Sequence, residues 1–155
     1  MVENVILFIG VVMATWDDLK SFLKIYEQAE IIEDNGNEYW ISFEFDNERS
    51  QEICLARGDK RGFVDVLGHY VRVSTLIANF KELNDPVITE LFMNILPIGR
   101  DIPIGKFIHY ENMMLLTDAI SIEYTPLDKI VEQIKSMAIW ADTCEKHISN
   151  DEDRF

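Results

Sequence analysis

Residues 106–124, KFIHYENMMLLTDAISIEY, decide the fold. They read as a β-hairpin closed by a two-residue loop, Glu111-Asn112, with Tyr110 opposite Met113, Ile108 opposite Leu115 and Phe107 opposite Leu116. Alternation then puts Phe107, His109, Met114, Leu116, Ile120 and Ile122 on one face, apolar along its length, which is the expected core face. The other face holds Lys106, Ile108, Tyr110, Met113, Leu115, Thr117 and Ser121 and is apolar only near the turn. A localised apolar patch ringed by polar positions is the pattern of an interface. The competing reading is that the N-terminal segment or the first helix covers this surface. A loop one residue longer or shorter would exchange the two faces.

Outward from the hairpin, the periods of the apolar residues change in a definite order. Thr15 with Asp18 three residues later is a capping-box start in which Asp replaces the usual Glu, and Leu19, Phe22, Leu23 and Tyr26 follow at helical spacing. That helix is expected to run on until EDNGNE, where Asn35-Gly36 marks a turn. The acidic turn is a poor calcium loop: with Gly36 at the sixth loop position, the first is Ile31, which cannot ligate. From Tyr39 the period is two, with Tyr39, Ile41, Phe43 and Phe45 on one face and Trp40, Ser42 and Glu44 on the other. A second strand is expected over 51–57 and a third within 63–76, where Gly68 reads as a bulge.

Asp85 and Pro86 begin a further helix with Val87, Ile88, Leu91, Phe92, Ile95 and Leu96 on a broad apolar face, ended by Pro97. After the hairpin, Thr125, Pro126 and Asp128 start a last helix with Leu127, Ile130, Val131, Ile134, Met137, Ala138 and Ala141 inward. The order is α-β-β-β-α-β-β-α. Strands grouped between helices, without regular β-α alternation, predict an α+β fold with an antiparallel sheet packed against helices.

The 155 residues suit one domain, and 14 Lys and Arg against 28 Asp and Glu leave a net charge of −14. That charge repels phosphate backbones and anionic lipid heads, so neither nucleic acid nor membrane is an expected partner. The apolar run from Val5 to Val12 is shorter than the roughly 20 residues of a membrane span. Residues 1–14 are read as an extension, dispensable for folding, with Met13 as an alternative start. The domain is expected over 15–148, and 149–155 form a polar tail. Cys54 and Cys144 show no metal or disulfide spacing and fit free thiols in a reducing, cytoplasmic compartment.

Chemistry finds little support. His69, His109 and His147 are the only histidine bases, none within a nucleophile motif, and no phosphate-binding loop, dinucleotide fingerprint or paired metal-ligand motif occurs. His109 with Asp118 nearby in sequence reads as a structural histidine. No cofactor, metal or catalytic residue is expected.

IPIGKF at 102–107, the hairpin, the capped helix and IWADTCEKHI at 139–148, in this element order, resemble the YbjN family of bacterial proteins, which is similar in fold to type III secretion chaperones. The resemblance implies a small acidic chaperone-like domain that binds protein segments or regulates through protein contacts, commonly as a homodimer. It implies no catalytic residues. Where such hairpins often turn through an acidic residue and glycine, this chain has Tyr110 to Met113, YENM. The expected function is therefore a protein-binding module, chaperone-like or regulatory, with Trp40, Phe92, Met93, Ile108, Tyr110, Met113 and Leu115 as partner-binding candidates. The alternative is an inhibitor or immunity-type protein that neutralises one folded basic partner.

Overall fold

The helix opening at Thr15 closes its own first turn. The Asp18 backbone N–H donates to the Thr15 hydroxyl at 3.2 Å, and the Thr15 N–H donates back to the Asp18 carboxylate at 2.8 Å. Those reciprocal bonds satisfy backbone donors that a helix end otherwise leaves open. The computed structural model describes residues 14–26, 29–45, 49–58, 70–81, 86, 89–90, 93 and 104–149. Within them the order is α1 (Trp16–Ile25), β1 (Ala29–Asp34), β2 (Glu38–Phe45), β3 (Arg49–Gly58), β4 (Tyr70–Asn79), β5 (Lys106–Tyr110), β6 (Met113–Ser121) and α2 (Leu127–Ser149). Pro86, Thr89, Glu90 and Met93, the described residues between Lys81 and Ile104, are helical. The apolar face expected there, with Phe92, lies outside the described residues, as do residues 1–13 of the expected N-terminal extension and Gly68.

The class is as expected, α+β with an antiparallel sheet packed against helices. Among the described residues the sheet has six strands in the order β1-β2-β3-β4-β6-β5, each antiparallel to its neighbour. One strand was not anticipated. The first helix ends at Ile25, and residues expected to prolong it form β1. The acidic residues of AEIIED suggest a helix surface, but Ile31 and Ile32 are β-branched, and Asn35-Gly36 is a hairpin signal between two strands. Gly36 sits at φ 91°, its N–H bonded by Asp34 Oδ1, while Asn35 Oδ1 accepts from Glu38 N. β4 also departs from the expected range. It continues to Asn79, and its register shift falls between Leu76 and Ala78.

α1 and α2 lie on one side of the sheet, α2 across β3 and β4 and α1 beside β1 and α2. Ile130, Val131, Ile134, Met137, Ala138 and Ala141 face the sheet fully buried, as the helical period requires. A single row of side chains crosses all six strands beneath them: Ile31, Ile41, Ile53, Thr75, Leu116 and Phe107, each opposite the next. The central four are buried and the edge residues half-buried. Thr75 is tolerated in this row because its hydroxyl donates to Glu52 O and accepts from Gln51 Nε2, both at 2.7 Å.

An ionic tie holds the far end of α2. Arg49, first residue of β3, donates from Nε to Asp142 Oδ1 at 2.8 Å, with Nη2 3.8 Å from Glu145. Lys146 Nζ meets the other Asp142 oxygen at 2.8 Å. Arg49, Asp142 and Glu145 are buried. Desolvation pushes the Asp142 carboxyl up, but hydrogen bonds from Lys146 and Arg49, and their charges, outweigh it and hold its pKa below the ordinary value.

Breaking this tie from one side leaves buried carboxylates without their cation. Arg49→Met is expected to cost about 3–5 kcal/mol in urea denaturation. Arg49→Met with Asp142→Leu is expected to recover part of that loss. Because the folded pKa of Asp142 is depressed, its contribution is complete above the unfolded value near 3.9 and disappears as pH falls through the folded one. Denaturation midpoints are therefore expected to drop below about pH 4, and less steeply in Asp142→Asn.

Candidate functional site

The hairpin at the β5 edge has the register its sequence implies: Tyr110 opposite Met113, His109 opposite Met114, Ile108 opposite Leu115 and Phe107 opposite Leu116. Glu111 takes φ 52°, the only positive φ of a non-glycine among the described residues. A positive φ at the first central position is where a two-residue hairpin usually places glycine. The turn is also held from outside, since the Phe80 backbone N–H donates to Asn112 O at 2.6 Å.

This register sorts the faces as expected. Met114, Leu116, Ile120 and Ile122 are buried under the helices, with Phe107 half-buried beside them. His109 shares their parity, yet it is exposed, because it stands at the end of the sheet with its ring 5.9 Å from that of Phe80. Asp118 is four residues along β6 from Met114, the partner of His109, about 13 Å at strand rise. No His109–Asp118 pair forms.

On the outer face Ile108, Met113 and Leu115 are half-buried and Tyr110 is 56% exposed. They adjoin one another through the Tyr110–Met113 and Ile108–Leu115 pairs, and Leu76 of β4 joins them opposite Leu115. Sequence reasoning missed Leu76. The signal was present in the alternation of Val71, Val73, Thr75 and Ile77, all buried, which leaves Leu76 pointing outward; the bulge follows, where Ile77 and Ala78 are both inward.

Trp40 does share this outer face, opposite Cys54, but it does not extend the patch. It lies three strands from Leu115, about 14 Å at ordinary strand spacing, with Cys54, Ser74 and Thr117 in the row between. Ser74 and Thr117 hydroxyls are 3.0 Å apart, and Thr117 donates to Val73 O, so this row is polar and internally satisfied. Met93 is 66% exposed, and Phe92 lies outside the described residues.

Other chemistry stays sparse within the described residues. No group of three or more His, Cys, Asp or Glu is placed to hold a metal ion there, and His69 lies outside them. Burial pushes both thiols, Cys54 and Cys144, up to about 11, which keeps them protonated and poor nucleophiles at neutral pH. No described helix is long and apolar enough to cross a membrane.

No family model matches the chain. No curated protein matches it either. Among solved structures it is similar to a chain of the HopA1–SchA chaperone–effector complex, at 12% identity and a TM-score of 0.45, over 84% of this chain and 89% of that one.

Two neighbours in sequence test the assignment of faces. Leu116→Ala is expected to cost about 2–5 kcal/mol, whereas Leu115→Ser costs about 1 kcal/mol or less. Comparable losses in chemical denaturation would mean that Leu115 is also core. At the turn, Glu111→Gly relieves a left-handed residue and is expected to raise the melting temperature by about 2–4 °C, readable by calorimetry.

Proposed function

We propose that the chain is a non-catalytic protein-binding module of the chaperone-like or regulatory kind, YbjN-like, which holds a segment of a protein partner on the outer face of its sheet. The observation that carries this reading is the contiguous patch of Ile108, Tyr110, Met113, Leu115 and Leu76, on the side of the sheet opposite α1 and α2. Contiguous apolar surface rimmed by polar residues is the ordinary form of a docking site. Large side chains such as Tyr and Met serve as anchors there. Trp40, Phe92 and Met93 belong to the proposal as peripheral contacts. A cytoplasmic location is part of it, supported by two free cysteines. So is a homodimer through the outer face or the helical segment around Met93, since twofold pairing is the commonest use of such surface.

The net charge of −14 supports a second reading, an inhibitor or immunity-type protein that neutralises one folded basic partner. The two readings differ in what is bound. A chaperone-like module accepts unfolded apolar segments, whereas an inhibitor accepts one folded surface with strongly salt-dependent affinity.

The test is the double variant Tyr110→Ser/Leu115→Ser, followed by denaturation, sedimentation and binding to immobilised peptide segments. The expected outcome is nearly unchanged stability with association weakened at least tenfold, about 1.4 kcal/mol. Unaltered association in a stable double variant removes the patch as the interaction site. A monomer at tens of micromolar, on the order of typical assay concentrations, removes the homodimer and leaves the patch free for a client.

A further inference from the structure

The outer face does not stop at the hairpin, and its chemistry changes along a single row. Glu30 stands opposite Ser42, and Ser42 opposite Glu52. Glu52 lies beside Leu76, one step from the Ile53–Thr75 pair, and Leu76 is followed by Leu115 and Ile108. Half of the row is acidic or hydroxylic and half is apolar. Glu33, opposite Trp40, and Glu44, opposite Ser50, add to the acidic half on the same face. All four glutamates are exposed, and none enters an ion pair among the described residues.

We propose that this face docks a basic amphipathic helix of a protein partner, with its apolar stripe on Leu76, Leu115 and Ile108 and its Lys or Arg flank over Glu52 and Glu44. The proposal rests on the reading of the hairpin face as a protein-binding surface, and it names the class of segment bound. A helix follows from what a sheet face offers. The strand backbones are already paired to each other, so the face presents side chains alone. An extended segment lying there would bury unpaired N–H and C=O groups, whereas a helix satisfies its own. The dimensions agree: a helix about 10–12 Å across covers β4, β6 and β5, whose outer two axes are about 10 Å apart. Its flanking side chains then reach β3 and β2, where the glutamates stand. Charge selects the partner. An anionic membrane or nucleic acid is repelled by the acidic half, and a Lys- or Arg-flanked helix is drawn to it.

The experiment measures anisotropy of two labelled helical peptides of about 18 residues, close to the length of β6 at helical rise. Both carry the same leucine stripe, one flanked by Lys and the other by Glu, and each is titrated with the full chain. The Lys peptide is expected to bind at least about tenfold tighter than the Glu peptide, and to lose most of that margin between about 50 and about 500 mM salt. E44Q/E52Q is expected to weaken the Lys peptide about fivefold or more and leave the Glu peptide unchanged, while Leu115→Ser weakens both. Equal affinities would overturn the role of the acidic half and leave the apolar patch standing as a protein-binding surface. Binding indifferent to both variants, or no binding of the Lys peptide up to about 1 mM, would overturn the proposed docking mode outright.

Discussion

The rest of the structure depends on one row of side chains that crosses the sheet: Ile31, Ile41, Ile53, Thr75, Leu116 and Phe107. These residues come from six segments spread over most of the chain, and they meet only if every neighbouring register is correct. A slip of one residue in any strand would turn that strand's contribution to the opposite face. Burying each large aliphatic side chain contributes about 1.5–3 kcal/mol, so the cost of a slip is large and the register is strongly specified. The helices follow from the row, because the face it creates is too apolar to leave in water and α2 presents a matching stripe.

The polar groups inside this arrangement do a different task from the apolar ones. Thr75 and Gln51 bond each other and nearby backbone, which lets hydroxyl and amide groups sit within an apolar layer. Arg49, Asp142, Glu145 and Lys146 bring two positive and two negative charges together where α2 crosses the start of β3. An apolar stripe alone allows a helix to slide along a sheet. A charge set buried at one place does not, because any other position strands the charges away from water.

Among the described residues, α1 and α2 cover one face of the sheet and not the other. Antiparallel sheets tolerate a solvated face when its residues are polar, and most of this outer face meets that condition with Glu30, Glu33, Glu44, Glu52, Ser42 and Ser74. The exception is the β4–β6–β5 end, where Leu76, Leu115 and Ile108 follow one another. The transition from acid to apolar occurs within one row, and it gives the surface a direction: a partner complementary to both halves fits one way round.

Much of this was legible in the residues themselves. The hairpin register followed once Glu111-Asn112 was taken as the loop, because the period of two then fixes every pair; a loop one residue longer or shorter would have exchanged the faces, and the structure decided between them. The capping box at Thr15 and the inward stripe of α2 were legible, since each depends on neighbours three or four residues apart. Only the tertiary structure decided features that depend on distant partners. β1 is a strand because β2 pairs with it, and letting the first helix run on to the turn signal at Asn35-Gly36 gave the wrong element. Trp40 shares a face with the hairpin but is held away from it by strand order, which no local pattern encodes. Arg49 and Asp142 lie 93 residues apart in the chain, and their pairing exists only because α2 crosses β3 at that point. The acidic half of the outer row was equally hidden, because opposite faces of one strand can be told apart from sequence, whereas which strands lie side by side is settled only when the whole sheet has closed over its core.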